Sequence, residues 1–273
     1  MMYKVCQIIV STNRLEYLTQ TLEAQVLLDT TGCDVHKIFV DDYPNERNDD
    51  TLRLLARNAG YHEIYLHDQN RGIGATWQEL WTMIRDRDYD YVWHQEDDVV
   101  LLRPVMLLDL IAFFEHAQHV SQLVLKRQPW YAHETPSQAE PTDEVFRAFR
   151  GEKTAAQYYF SPIASLYPIE RTRLDYAGWF RTHYPHEPIF HTANINEGLI
   201  GKVLLEGFGL TSMHVKHTDG THLIQHIGVY TQGRKLLPGE PGYEAWAALD
   251  PDKRYLSGSG IEYTNENTNP PTK

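Results

Sequence analysis

Cysteine is nearly absent: the 273 residues include only Cys6 and Cys33. Two cysteines give neither a disulfide framework nor a thiolate metal site, and Cys6 lies in an apolar run typical of a core strand. No apolar run approaches the roughly 20 residues that span a membrane, and the first ten residues show no secretory signal. These absences predict a cytoplasmic protein in a reducing compartment.

Positive charge is also scarce, since 25 Lys and Arg face 37 Asp and Glu and the net charge is −12. This balance disfavours a broad surface for nucleic-acid phosphates. Glycine is missing from the turn after the first apolar run, residues 11–14 (STNR), and residues 72–74 (GIG) lack the third glycine of a dinucleotide fingerprint. A Rossmann dinucleotide site is therefore excluded, and no P-loop lysine pattern occurs.

Strand-like and helix-like segments alternate through the first hundred residues. Apolar, β-branched runs predict strands, and apolar residues at helical spacing predict helices. The order βαβαβαβ predicts a single α/β domain with a mostly parallel central sheet flanked by helices. The predicted strands are residues 4–11, 35–41, 61–67 and 89–95, and the predicted helices are residues 14–28, 49–59 and 73–85.

The second half of the chain shows no linker and no internal repeat. Its segment 128–143 contains three prolines and is predicted to be a loop or flap, and the polar tail 255–273 a lid or flexible end. Elsewhere the pattern predicts helices at 105–116, 170–181 and 196–206, and strands at 121–126, 163–168 and 210–216.

Three consecutive carboxylates, Glu96, Asp97 and Asp98, follow the fourth predicted strand and precede an apolar run. Adjacent acids at a strand end repel one another and lose solvation unless a cation or hydrogen-bond donors offset the cost. Carboxylates suit Mg²⁺ or Mn²⁺, which often share their ligand shell with substrate phosphates. This stretch predicts a metal site; the alternative is an acidic turn that closes a strand.

Polar residues also follow the other predicted strands. Residues 11–14 follow the first strand, Asp41 and Asp42 end the second, and the third leads into residues 70–74 (NRGIG). The carboxyl ends of parallel strands are where open α/β sheets bind ligands. Carboxylates on two strand ends suggest that one accepts hydrogen bonds from a base or ribose while the other holds a divalent ion.

Four segments in this order resemble the nucleotide-binding half of GT-A glycosyltransferases, particularly inverting enzymes of the family 2 type. They are IIVSTNRLEYLTQTL, IFVDD, NRGIGATWQELW and VWHQEDDVVLLRP. The Glu-Asp-Asp form of the DxD motif is also similar to the N-acetylglucosaminyltransferase I group. The resemblance covers residues 3–105. It implies a GT-A fold with a nucleotide-sugar-binding half at 1–105 and an acceptor-binding, catalytic half at 106–254.

The resemblance implies a role for each matched residue. Asp98 would bind the metal directly, Asp97 would support it or bind ribose, and Glu96 would contact sugar hydroxyls. Residues 70–72 have a structural alternative, a glycine turn before a capped helix. The implied nucleotide contacts are Ser11, Thr12 and Arg14 lining the pocket, Asp41 or Asp42 on uracil or ribose, and Asn70, Arg71 and Gly72 against the nucleotide.

Glu197 matches the acid that acts as general base in inverting GT-A enzymes, at the start of a predicted helix. It would remove the proton from the acceptor hydroxyl. The alternative is an acid favoured in a first helical turn by the helix dipole. Glu187 and Asp175 are weaker substitutes.

His226 matches the position at which many GT-A enzymes place a histidine that completes the metal shell or contacts the diphosphate. Its competitors along the chain are His214, His217 and His222. An imidazole beside carboxylates suits Mn²⁺ somewhat better than Mg²⁺. Basic residues that could neutralise a leaving diphosphate are Lys216, Arg234 and Lys235.

The sequence thus predicts a Mn²⁺- or Mg²⁺-dependent glycosyltransferase that moves a sugar from a nucleotide donor, expected to be a UDP-sugar, to an acceptor hydroxyl with inversion. A glycan, a small molecule, a protein and a modified DNA base all remain open as acceptors. One alternative is a sugar nucleotidyltransferase, although the basic, glycine-rich loop typical of that class is missing. Another is a non-catalytic nucleotide-sugar or carbohydrate-binding protein, in which Trp130 and Tyr131 would stack on sugars.

Overall fold

The computed structural model describes residues 2–42, 47–125, 127–128, 136–140, 146–151, 164–169, 190–191, 194–195, 204, 207–217 and 222–227. Helices and strands are numbered here in chain order. The first half contains β1 (Tyr3–Ser11), α1 (Leu15–Ala24), a 3₁₀ turn (Gln25–Leu27), β2 (Leu28–Asp29), β3 (Cys33–Asp41), α2 (Asp49–Asn58), β4 (Glu63–Leu66), α3 (Ile73–Arg85), β5 (Tyr91–Glu96), β6 (Val99–Leu101), β7 (Val105–Met106) and α4 (Leu107–His116). The second half contains β8 (Val120–Leu125), β9 (Arg127–Gln128), β10 (Pro136–Glu140), β11 (Phe146–Gly151), β12 (Ala164–Pro168), β13 (Phe190–His191), β14 (Asn194–Ile195), β15 (Thr211–His217) and β16 (Ile224–His226).

Nine of the described strands form the central sheet, in the order β10-β11-β15-β8-β12-β5-β1-β3-β4. Strand β1 pairs in parallel with β3 and β5, and β3 pairs in parallel with β4. Strand β12 runs antiparallel to both β5 and β8. The predicted α/β domain with a mostly parallel sheet is confirmed, and its antiparallel strands all come from the second half of the chain.

Helices cover both faces of the sheet because successive strand residues point to opposite sides. On β1, Ile8 packs in a cluster with Trp77 of α3, whereas Ile9 packs in a cluster with Leu18 of α1. Helix α4 covers the same face as α1 further along, where Phe114 packs with Trp93 of β5. All six side chains are at most 1% exposed, so the sheet forms the middle layer of a three-layer core.

Several predicted boundaries were wrong. Helix α4 begins at Leu107 instead of residue 105, because Val105 and Met106 pair with β2 in a small parallel sheet. The predicted loop 128–143 contains β10, which pairs antiparallel with the unpredicted strand β11. Pro136 fits there as the first residue of an edge strand, since it has no N–H to donate. The helix predicted at 170–181, the tail 255–273 and most of the helix predicted at 196–206 lie outside the described residues.

A second sheet, of three strands, begins directly after β5. Strand β16 pairs antiparallel with β6 and in parallel with β9. This register places His226 opposite Val99, the residue that follows the three carboxylates. The small sheet therefore brings together residues that are more than 120 positions apart in sequence.

Within the described part of the chain, no helix combines the length and apolar character that crossing a membrane requires.

Candidate metal centre

The polar strand ends meet at one edge of the sheet, as the parallel pairing requires. Ser11 is in register with Asp41, and Val10 is in register with both Val40 and Glu96. The first turn, the Asp41-Asp42 pair and the three carboxylates after β5 therefore lie side by side. The tight turn linking β5 to β6 is fastened by Gln95, whose Nε2 donates to the Val99 carbonyl at 2.6 Å.

Asp98 lies in that turn with only 1% of its surface exposed. Its Oδ2 is 3.2 Å from Nε2 of His226, which is equally buried, and its carbonyl accepts from the Ile227 N–H at 2.8 Å. Glu96, Asp98 and His226 each offer one ligand atom, and these atoms all lie within 4.8 Å of one another. The predicted pairing of Asp98 with His226 is therefore present in the fold, and Glu96 joins them.

These three residues fit a divalent cation. Asp98 Oδ1 is buried and has no hydrogen-bond partner among the described residues, so it retains lone pairs for a ligand. Two carboxylates and an imidazole suit Mn²⁺ or Mg²⁺. Glu96, expected to contact sugar hydroxyls, lies where it would act as the third ligand.

Asp97 points away from this group and ties the turn to the end of β1. Its Oδ2 accepts from Ser11 Oγ at 3.0 Å, the Thr12 N–H at 3.2 Å and Arg14 Nε at 3.3 Å, and its Oδ1 accepts from Arg14 Nη2. The Asp97 carbonyl accepts from Thr21 Oγ1 of α1 at 2.7 Å. Of the two roles considered for Asp97, this geometry favours supporting the metal site over binding ribose.

Arg14 lies against both aspartates. Besides its contacts with Asp97, its Nη1 donates to Asp98 Oδ2 at 2.6 Å, and the side chain is 26% exposed. Burial alone would lower the pKa of Arg14, but the charges of Asp97 and Asp98 outweigh it and raise that pKa. The guanidinium therefore stays charged and acts as a fixed cation beside the carboxylates.

The two aspartates differ in how readily they ionise. Burial raises the pKa of Asp97, and the neighbouring Asp98 charge adds to the rise against the attraction of Arg14. Burial also opposes ionisation of Asp98, but His226 and Arg14 outweigh it and hold the pKa of Asp98 well below its usual range. The carboxylate beside His226 is thus ionised and able to bind a cation at neutral pH.

Asp41 and Asp42 have different surroundings at the end of β3. Asp41 is fully buried, and its two oxygens accept from the Asn13 N–H at 2.7 Å and from Arg47 Nη1 at 3.3 Å. Asp42 Oδ1 accepts hydrogen bonds from His67 Nδ1 at 2.8 Å and from the Arg71 N–H at 3.1 Å. Asp41 is therefore committed to holding the first turn, where Asn13 has a left-handed φ of 59°.

The loop before α3 shows the glycine turn of the structural alternative considered for residues 70–72, but the helix that follows has no side-chain cap hydrogen bond. Asn70 Oδ1 accepts from the Gly72 N–H at 2.9 Å, and Gly72 occupies the N-cap position of α3 with φ of 79°. A side chain at that φ would be strained, so glycine is required there for conformational reasons. Arg71 also pairs with Glu79 of α3, Nη1 to Oε2 at 2.6 Å. Contact of this loop with a nucleotide stays a prediction.

Comparisons with known proteins identify the fold. No protein-family model and no curated protein sequence matches the chain. Among solved structures, S. aureus TarS is similar with a TM-score of 0.53 and 15% identity, over 81% of this chain and 36% of that one. A structure of GalNAc-T7 with UDP, GalNAc and Mn²⁺ has a TM-score of 0.55 and 8% identity, over 79% of this chain and 44% of that one. Both neighbours are GT-A glycosyltransferases.

The chain has the GT-A fold. It spans less than half of the length of either neighbour, and at these identities the likeness concerns the fold alone. The specific resemblance to inverting family 2 enzymes and to the N-acetylglucosaminyltransferase I group stays a prediction.

Three residues that the sequence analysis gave no role support this edge of the GT-A fold. His67 lies between two carboxylates: its Nδ1 contacts Asp42 Oδ1, and its Nε2 lies 3.3 Å from Glu79 Oε2. Arg47 donates to the His67 carbonyl at 2.9 Å as well as to Asp41. His67 could have been suspected because it follows a strand. Arg47 and Glu79 could not, because the folding of the loops, and no sequence motif, brings them to His67.

The remaining candidates are separated from the cluster or lie outside the described residues. His214, His217 and Lys216 are on β15, which pairs with β11 and β8 in the other half of the sheet. His222 precedes β16 and is not one of the three clustered ligands found among the described residues. The residues outside the described ranges are Glu197, Glu187, Asp175, Trp130, Tyr131, Arg234 and Lys235.

Proposed function

We propose that this protein is a metal-dependent glycosyltransferase that moves a sugar from a UDP-sugar to an acceptor hydroxyl with inversion. The observation that carries the proposal is the convergence of Glu96, Asp98 and His226 on one point at the ligand-binding edge of a GT-A sheet. The GalNAc-T7 structure of the same fold, obtained with UDP, GalNAc and Mn²⁺, supports this combination of donor and metal.

Glu96, Asp98 and His226 would hold the metal ion, Mn²⁺ or Mg²⁺. When bound, the ion neutralises diphosphate oxygens and so favours departure of the nucleoside diphosphate. Asp97 holds the metal-bearing turn against the end of β1 through Ser11 and Thr12. The chain thereby orders the carboxylates before the donor arrives, which lowers the cost of assembling the site.

Asp42 is the better of the two β3 carboxylates for contacting uracil or ribose. Its two hydrogen bonds with described residues both end on Oδ1, whereas both oxygens of Asp41 are engaged. His67 and the Arg71 N–H fix the orientation of Asp42. Ser11, Thr12 and residues 70–72 would complete the proposed nucleotide pocket.

A thermal-shift panel of nucleotide sugars with and without Mn²⁺ tests the proposal. We expect UDP-sugars to raise the melting temperature only when Mn²⁺ is present. Ligand at 100 times its Kd stabilises a protein by about 2.7 kcal/mol, which corresponds to roughly 5–10 °C for a domain of this size. Stabilisation without metal, or by no nucleotide sugar, would contradict the proposal. Release of pyrophosphate from UTP and a sugar phosphate would instead indicate a nucleotidyltransferase, and binding without product a non-catalytic protein.

Glu197 is proposed as the general base because of its position in the sequence motif. We expect Glu197→Gln to reduce kcat by roughly 10²–10⁴-fold, the usual contribution of a positioned base, since glutamine cannot accept the acceptor proton. Binding of UDP and Mn²⁺, measured by calorimetry, should be unchanged. Glu187→Gln is the matched control, and a larger loss there than at Glu197 would transfer the role to Glu187.

A further inference from the structure

Arg14 directs its guanidinium at the acidic cluster. Nε and Nη2 donate to Asp97, and Nη1 donates to Asp98 Oδ2 at 2.6 Å. All three nitrogens of the group are therefore engaged by carboxylates. The turn that carries Arg14 is itself fixed, because the Asn13 N–H binds buried Asp41. The guanidinium is therefore held by two carboxylates at its tip and by the fixed turn at its backbone.

The net formal charge of the cluster, with its acids ionised, equals the charge that one divalent ion would balance. Glu96, Asp97 and Asp98 contribute three negative charges when ionised, and Arg14 contributes one positive charge, which leaves two negative charges. Asp98 Oδ2 is already shared between Arg14 and His226, whereas buried Oδ1 has no partner among the described residues. Arg14 thus leaves Oδ1 of Asp98 for a cation, while its own positive charge repels that cation.

We propose that Arg14 is a built-in counter-cation that weakens the binding of free metal ion, so that tight metal binding requires the diphosphate of the donor. This inference rests on the proposed function, because it concerns the same metal site. A guanidinium in contact with a carboxylate that binds metal reduces the attraction of the site for a dication. A diphosphate that binds with the metal restores that attraction, because it adds negative charge on the far side of the ion. Arg14 also keeps the carboxylates ordered when no metal is bound, which a site of three unpaired acids would not allow.

Calorimetric titration of MnCl₂ alone into the wild type and Arg14→Met tests this role. We expect the affinity for Mn²⁺ alone to rise by at least about tenfold in Arg14→Met, since a positive charge close to the ion is removed. Repeating the titration with saturating UDP should show a smaller change, so the factor by which UDP strengthens Mn²⁺ binding should fall. Arg14→Lys keeps the charge and should stay close to the wild type.

Arg87→Met is the matched control, because Arg87 also pairs with a carboxylate, its Nη1 lying 2.5 Å from Glu63 Oε1 at the start of β4. This pair lies at the opposite end of the strands, and its loss should leave Mn²⁺ affinity unchanged. If Arg14→Met does not fold, Arg14→Gln retains an amide that can donate to Asp97 and must show the same rise. An unchanged or lower Mn²⁺ affinity in a folded Arg14 variant overturns the inference but leaves the proposed function intact. Absence of Mn²⁺ binding by the wild type, with and without UDP, overturns both.

Discussion

Asp98→Asn is expected to abolish metal-dependent sugar transfer while the protein remains folded. Asparagine has nearly the same shape as aspartate and can still accept from Arg14, but it lacks the charge that binds a cation. Because a metal ion at a transferring group stabilises charge by several kcal/mol, we expect transfer to fall by roughly 10³-fold or more. The measurement is the initial rate of transfer, or of donor hydrolysis, across a Mn²⁺ titration.

Two controls accompany this variant. Asp88→Asn makes the same change at an aspartate that is 91% exposed and pairs with Lys4, and it should leave transfer unchanged. Circular dichroism and the metal-free melting temperature should show that Asp98→Asn is folded. Substantial transfer by a folded Asp98→Asn protein, or transfer by the wild type that survives chelation, would rule out the metal role of Asp98.

Asp97→Ala is expected to destabilise the fold strongly, in contrast to Asp98→Asn. The substitution removes the acceptor of three nitrogen donors and one hydroxyl, and it leaves the Arg14 guanidinium with Asp98 as its remaining carboxylate contact. Breaking a buried ion pair by removing one partner typically costs about 3–5 kcal/mol. We expect the free energy of unfolding, measured by urea denaturation without metal, to fall by this amount.

A double-mutant cycle separates the charge effect from loss of packing. If the cost comes from leaving the Arg14 guanidinium with one carboxylate partner instead of two, Arg14→Met combined with Asp97→Ala should recover part of the stability lost in Asp97→Ala alone. Asp88→Ala, which removes an exposed carboxylate, should have little effect. Equal stability of Asp97→Ala and Asp88→Ala would mean that the hydrogen bonds around Asp97 do not hold the turn.

The acidic cluster around Asp97 and Asp98 was predicted only in part from the sequence. The cluster could be located from sequence because three acids after an apolar strand are costly without a partner. The residues that satisfy each acid could not be found in the same way. Arg14 was expected to line a nucleotide pocket, yet its nitrogens bind Asp97 and Asp98. Glu96 was expected to contact the sugar, and its carboxylate lies within 4.8 Å of ligand atoms of Asp98 and His226.

Some features after residue 104 could not be predicted from local sequence patterns either. Strand β10 lies in a proline-containing segment and pairs with neighbouring β11, which in turn pairs with β15, far away in sequence. Helix α4 begins two residues late because Val105 and Met106 pair with residues 28–29. Pairing energy between segments far apart in sequence overrides weak local preferences of this kind.

The sequence alone determined the order of strands and helices in the first half, the parallel sheet and the edge at which its polar residues gather, because these depend on local periodicity and on the handedness of short connections. Only the tertiary structure decided that Arg14 lies against both aspartates and that Glu96 joins Asp98 and His226. Neighbouring residues at a strand end point to opposite sides, and the partner on each side comes from a different part of the chain. Asp97 therefore meets the turn after β1, whereas Asp98 meets a strand more than 120 residues away, and this difference separates a structural carboxylate from a proposed metal ligand.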